Sequence, residues 1–353
     1  MITLNTKEAS KTITNVVRAV PRKIEHPISQ CVKLFMDEGL LRMMAFNIND
    51  GIIISDGLEI VGGADIPPVA VDASKLNQVF QSAIGDTATL RVKGNMLHFK
   101  SGTMSARLAT QDADMFVNRV ENGEHIYTLP SKDLSRTARS LMFLSDNIDY
   151  PGNYSGAFLI SKYFLTTNNS YAVGRRLISN DIVGEYWLPA YGINHVVRSA
   201  SGDVEIYKTP YGLKFLCGNL DIDISLVDNS GADFGKAFLA IRETEFTVVN
   251  RSKFSDMLSA ALVFAIDFSK YASIEMADNK IAVCVGGDVF SASVAAETVS
   301  NVTFGVNCEA LSEIVSKISG GDIQIGVYQG RMIYVTAGDS EYALAGMKLR
   351  EPA

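Results

Sequence analysis

The residues with the clearest chemical capacity are eleven lysines and arginines: Lys7, Lys11, Arg18, Lys75, Lys132, Arg136, Arg139, Arg198, Arg251, Lys253 and Lys317. All fall in six segments whose apolar positions recur at helical spacing, residues 7–19, 73–84, 131–144, 189–200, 251–265 and 307–319. The same segments hold five acids, Glu8, Asp133, Asp256, Glu309 and Glu313, a surplus of six positive charges in a chain of net charge −7, so the remainder carries −13. Long cationic side chains on helical faces hold phosphate oxygens without reading bases, because duplex DNA presents one charge per roughly 1.7 Å. A solvated helical face explains any one of these charges equally well. Recurrence along the chain favours one shared surface facing a polyanion, with residues 307–319 departing from the bias. The acidic remainder would repel DNA from other surfaces.

No arrangement for covalent or metal chemistry accompanies these charges. The four histidines, His26, His98, His125 and His195, sit in no nucleophile or metalloprotease motif, and no phosphate-binding Gly-x-x-x-x-Gly-Lys-Ser/Thr loop occurs. Cys31, Cys217, Cys284 and Cys308 are far apart with no histidine nearby, and read as reduced thiols in or near a core. Gly62-Gly63-Ala64-Asp65 reads as a turn between strands, and His195, on a basic helix, as a residue facing DNA or solvent. No catalytic residue, metal or cofactor is expected. A hydrolase whose site is not visible in sequence and a phage structural repeat protein remain open alternatives.

The elements that position the charges come from an internal repeat. A Gly-Asp turn follows a helical stretch and precedes an alternating strand at Gly85-Asp86, Gly202-Asp203 and Gly321-Asp322, 117 and 119 residues apart. A strand running into a helix opens each unit: Ile2-Thr3-Leu4 before Lys7, Tyr127-Thr128-Leu129 before Lys132, and Phe246-Thr247-Val248 before Lys253. Each unit therefore reads as an α+β domain of two helices and perhaps eight strands whose halves resemble each other. The expected domains are 1–120, 121–238 and 239–353, with joints near Asn118 to Gly123 and Asp233 to Glu243. Repeats this long exceed the roughly 20 to 50 residues of solenoids and propellers.

The chain has 353 residues, 47% hydrophobic and 20% charged, without low-complexity runs, as expected of a globular protein. The N-terminal residues show no basic-then-apolar leader and no window has the roughly 18 apolar residues of a membrane span, so a cytoplasmic location and no membrane partner are expected.

Several local features, taken in order, resemble the bacterial β sliding clamp family, the processivity subunits of DNA polymerase III. They are Val71-Asp72-Ala73-Ser74-Lys75-Leu76 leading to Ala106-Arg107-Leu108-Ala109-Thr110, Tyr154-Ser155-Gly156-Ala157-Phe158-Leu159 with Leu165-Thr166-Thr167, and the ending Tyr342-Ala343-Leu344-Ala345-Gly346-Met347-Lys348-Leu349. No one motif decides the match; order and spacing over the whole chain carry it. The resemblance implies a head-to-tail homodimer of three similar clamp domains per chain, with helices on curved antiparallel sheets and twelve helices around double-stranded DNA. It implies a DNA polymerase and a clamp loader ATPase as partners, and DNA contacts from the loop residues Arg22 and Lys23, for which plain solvation is the competing account. The dimer would join the strand near Leu108 to the region of Val263 and Phe264.

The resemblance also implies a partner-peptide pocket between domains two and three, formed by Tyr154, Thr167, Tyr171, Ala172, Lys236, Ala237, Asn307, Ala343, Ala345, Met347 and Leu349. Core packing is an equal account of each taken singly. The chain departs from the family here, with Asn168-Asn169-Ser170-Tyr171-Ala172 and with Ala345-Gly346 where Met-Pro is common. Smaller side chains imply a differently shaped pocket and a different partner motif, as a phage-encoded clamp serving its own polymerase would have.

Overall fold

The computed structural model describes residues 1–23, 26–145, 157–167, 172–227, 234–267, 269–287 and 289–349. Its element order repeats three times. The first series is β1 (Ile2–Asn5), α1 (Thr6–Val16), β2 (Cys31–Asp37), β3 (Leu40–Asn47), β4 (Ile52–Gly63), β5 (Val69–Asp72), α2 (Ala73–Gln81), β6 (Thr87–Lys93), β7 (Met96–Ser101) and β8 (Met104–Gln111). The second is β9 (Glu124–Pro130), α3 (Ser131–Leu141), β10 (Ala157–Ile160), β11 (Tyr163–Thr167), β12 (Ala172–Leu177), β13 (Tyr186–Pro189), α4 (Ala190–Ser199), β14 (Asp203–Lys208), β15 (Gly212–Cys217) and β16 (Leu220–Ser225). The third is β17 (Phe246–Asn250), α5 (Arg251–Phe264), β18 (Tyr271–Ala277), β19 (Lys280–Val285), β20 (Phe290–Glu297), β21 (Val302–Asn307), α6 (Cys308–Lys317), β22 (Asp322–Tyr328), β23 (Met332–Ala337) and β24 (Ser340–Ala345). This is the expected α+β class, with antiparallel sheets.

The two repeat markers of the sequence are joined by a hydrogen bond. The main-chain N–H of Thr6, first in α1, donates to the Asp86 carbonyl of the Gly-Asp turn at 2.9 Å; Ser131 donates to Gly202 at 2.8 Å and Arg251 to Gly321 at 2.9 Å. An orphan donor at each helix start is thus satisfied by the turn before the neighbouring strand. Asn5, Asp72, Asn250 and Asn307 cap α1, α2, α5 and α6, each side chain accepting from amides of the first turn. The expected helices at 7–19 and 131–144 tighten into 3-10 turns at Val17–Ala19 and Met142–Leu144. Leu76 and Phe80 of α2 and Leu311, Ile314 and Val315 of α6 are buried, at the helical spacing read from the sequence. Gly62 and Gly63 close β4; Gly63 has φ +96° and its Cα lies so close to the Met1 carbonyl that a Cβ would stand 2.1 Å from it.

By compactness the chain divides into two units: Met1–Ser135 with Tyr191–Val227, and Arg136–Ala190 with Asp228–Ala353. The first unit holds a twelve-stranded sheet in the order β1-β6-β7-β8-β5-β2-β3-β4-β16-β15-β14-β9. The second holds another, β13-β10-β11-β12-β24-β23-β22-β17-β20-β19-β18-β21. Each sheet contains one strand pair that crosses from one repeat to the next. In the first unit β4 meets β16, with Ile52 opposite Ile224. In the second the corresponding β12 meets β24, with Ala172 opposite Leu344.

The remaining strands of these two types, β8 and β20, lack such a partner. β8 pairs with β7 along its length and with β5 only at Thr110 and Gln111. β20 pairs with β19 up to Ala295 and with β17 only at Ala296 and Glu297. Among the described residues, 104–109 and 290–295 therefore each present an open sheet edge.

Candidate nucleic-acid and partner sites

None of the eleven helical cations is buried. Lys7, Lys11, Lys75, Lys132, Arg136, Arg139, Arg198, Lys253 and Lys317 are exposed, and Arg18 and Arg251 half-buried. Lys7 and Lys11 lie one turn apart and Arg18 continues their row, away from buried Ala9, Ile13 and Val16. Lys132, Arg136 and Arg139 form a similar row on α3, opposite buried Leu134, Ala138 and Leu141. Arg251 is partly committed to structure, since its Nε donates to the Gly320 carbonyl at 3.0 Å.

In the first unit the positive charge gathers into a basin of about 600 Å³ lined by Arg18, Arg22, Lys23, Asn194, His195 and Arg198 among others. Arg22 and Lys23 are exposed on the loop after α1. Arg18 is held by donation from its Nη1 to Ser199 Oγ at 2.6 Å, and Tyr191 donates its hydroxyl hydrogen to the Asp50 carbonyl. His195 is more enclosed than a solvent-facing residue. Burial, and then the fields of Arg18 and Arg198, lower it to about 4, so the ring is neutral near pH 7. Asp50 also lines the basin, so four cationic side chains face one carboxylate there, an arrangement able to hold an anion through fixed charges. Among the described residues no group of three His, Cys, Asp or Glu side chains could hold a metal ion, and no helix is long and apolar enough to cross a membrane.

In the second unit an apolar cluster forms around Leu165, Trp187, Phe238, Tyr334 and Ala343, with Val173, Ala237 and Met332 packed against it. Thr167 is buried on the face of this cluster, opposite Val173, and its hydroxyl donates to the carbonyl of Ala172, whose own side chain is buried on the other face of the sheet. Ala237 lies in the 3-10 segment Phe234–Glu243, pinned by donation from Tyr334 Oη to its carbonyl at 2.8 Å; Lys236 beside it is exposed. Ala345 and Leu349 are exposed, and Met347 is half-buried and bonded through its N–H to Gly305. The Asn307 side chain is spent on capping α6. Tyr154 and Tyr171 lie outside the described residues.

Three residues absent from the sequence reading shape this cluster. Trp187 packs edge-on to Phe234 at 5.7 Å, and Phe238 carries the Arg175 guanidinium 4.0 Å over its ring. Arg175 in turn pairs with Glu341 at 2.5 Å. Trp187 is the sole tryptophan of the chain, which was a usable signal; nothing local marked Arg175.

At the proposed dimer contacts, Val263 and Phe264 are exposed at the end of α5 by 71% and 42%, and Phe264 stacks on Phe290 of the open-edged β20 at 5.1 Å. Leu108, on the open-edged β8, points into its own unit and is 7% exposed.

No protein-family model matches the sequence, and no curated protein does. Solved structures do match over the whole chain. A DnaN sliding clamp (DNA polymerase III subunit beta) from Pseudomonas aeruginosa bound to griselimycin superposes with a TM-score of 0.87 at 17% identity, covering 99% of both chains. The chain has the fold of the bacterial β sliding clamp. The DNA polymerase III beta subunit from Thermotoga maritima gives 0.82 at 14% identity over 99% of both chains, and the beta subunit from DNA polymerase of Streptococcus pyogenes 0.84 at 16% over 99% of this chain and 100% of that. At these identities the sliding-clamp likeness is one of fold.

Proposed function

We propose that this protein is a sliding clamp: a processivity factor, not an enzyme, that closes around double-stranded DNA as a head-to-tail homodimer and tethers a DNA polymerase in the cytoplasm. The repeats at 1–120, 121–238 and 239–353 act as its clamp domains. The observation that carries this reading is the open pair β8 and β20. Two junctions of the chain use the pairs β4 with β16 and β12 with β24, and the third pair of the same kind lacks only a second copy. Two heterologous contacts of this type close a ring and cover the four open edges that β8 and β20 present in two copies.

The register of that contact follows from the repeat. Ile60 faces Leu4 just before the capping Asn5, and Ala296 faces Val249 just before Asn250, so Ala296 corresponds to Ile60 and Phe290 to Ile54. Leu220 begins its hairpin opposite Cys217 as Met104 does opposite Ser101, so Ala106 corresponds to Ile222. Ile54 faces Ile222 in the first unit; Phe290 would therefore face Ala106 of a second copy.

Exposed cations on α1, α3 and α4, with Arg22 and Lys23, supply interchangeable phosphate contacts that hold DNA yet permit sliding. The cluster around Trp187 and Phe238 is the partner surface, where the polymerase and an ATPase loader insert a peptide. The experiment is retention on DNA: loaded onto nicked circles the clamp stays bound, and cutting the circle releases it. Equal retention on circular and linear DNA overturns the reading.

A further inference from the structure

The first unit contains a cavity of about 200 Å³ where β16 meets β4, floored by Phe46 and Ile53, which face each other across β3 and β4, and closed on one side by Val120 of the segment before β9. Its mouth is apolar and open: Ile48 and Tyr211 line it while 69% and 77% exposed. Paired large apolar side chains left in water beside a cavity mark an interaction surface rather than a core.

One wall of the cavity is Asp223, 6% exposed. Neither carboxylate oxygen accepts a hydrogen bond among the described residues. Its counter-charge, Lys214 Nζ, stands 4.0 Å away, donates to the Val120 carbonyl and also faces Asp221 at 3.8 Å. A buried acceptor in that condition gains from any donor brought to it. The donor need not be charged, because Arg42, Arg119 and Lys214 already balance Asp37, Asp221 and Asp223 in the connected ion network.

The cavity occupies the repeat position of the partner surface in the second unit. With Ile52 and Ile224 aligned to Ala172 and Leu344 by register, Asp223 and Ser225 correspond to Ala343 and Ala345, and Phe46 to Thr167. The pinning bond is reproduced as well: Lys214 donates to Val120 in the first unit as Tyr334 donates to Ala237 in the second. The difference is chemical. A carboxylate stands where the second unit has a methyl group.

We propose that this cavity is a second peptide-docking site, seating one apolar side chain of an extended, uncharged segment while an N–H of that segment donates to Asp223. The peptide class of the occupant rests on the reading of the second unit as a peptide surface; the apolar seat and the need for a donor do not.

The test is titration at pH 8, where Asp223 is ionised, of the full chain labelled at isoleucine methyls with N-acetyl-leucine amide. Methyl shifts at Ile48 and Ile53, which line the cavity on the Asp223 face, are expected, with affinity lost about tenfold in Asp223→Leu and kept within about threefold in Asp223→Asn, which still accepts. Tyr211→Ser, a change at an exposed position, should weaken binding even if Asp223→Leu does not fold. Absence of shifts at those two residues overturns the proposal, as does equal binding of N-acetyl-leucine, whose carboxylate the ionised Asp223 repels. Tighter binding of isopentylammonium would make this a cation site and overturn the peptide assignment. Shifts alone at Ile241, which packs against the Trp187 and Phe238 cluster, sink this site and leave the second-unit reading standing; shifts at Ile48 and Ile53 without Ile241 do the reverse.

Discussion

Tyr342 donates its hydroxyl hydrogen to the main-chain carbonyl of Ser140, 202 residues earlier, at 2.8 Å and out of contact with water. The bond ties β24 to the end of α3 inside the second unit, and burial pushes the phenol up to about 12. Tyr342→Phe keeps the ring and orphans the carbonyl. Denaturant unfolding should register a loss of about 1 to 2 kcal/mol.

Asp223 and His195 pull stability in opposite directions with pH. Burial raises Asp223 from 3.8 to about 7 against the attraction of Lys214, so between those values the folded chain binds more protons than the unfolded, and its contribution falls as pH rises through the window. His195, lowered from 6.5 to about 4, contributes stability that is present above 6.5 and lost as pH falls toward 4. Melting midpoints at pH 5 and 8 separate the two: Asp223→Asn should gain relative to the parent at pH 8, and His195→Gln at pH 5.

Charge reversal at Arg22, Lys23 and Arg198 should weaken DNA binding at every sequence alike. The slope of log affinity against log salt should become shallower by about 0.9 per phosphate contact removed. Unfolding midpoints should hold, because all three side chains are exposed. An unchanged salt slope would place the basin off the DNA path.

The derived edge register is open to a disulfide trap. With the native cysteines replaced by serine or alanine, Ala106→Cys with Phe290→Cys should yield a covalent dimer on mild oxidation. Moving one cysteine to Arg107 turns it to the other face of its strand and should abolish the product.

Much of this architecture was legible because it is local. The Gly-Asp turns, the helical spacing around Leu76 and Leu311, and the strand-to-helix openings at Leu4 and Val249 each occupy a few consecutive residues. What could not be read depends on distant partners. Nothing around Lys214 announces a lysine of zero exposure, since its acids lie on the next strand and its acceptor is the carbonyl of Val120. The cavity beside Asp223 arises from β3, β4, β16 and the segment before β9 meeting, and periodicity within any one of them is silent about it. Phe238 and Trp187 stand 51 residues apart in the chain, and only the folded second unit packs them into one cluster.

The pairing of β4 with β16 also bears on how the chain can be made. A nascent first repeat emerges with the Ile52 edge of β4 bare, and its partner Ile224 is translated only after most of the second repeat. This strand pair of the first unit can therefore form only once the second repeat has been made. Fragments cut at repeat boundaries should behave as sticky, incomplete sheets, whereas a fragment ending after β16 retains that strand pair.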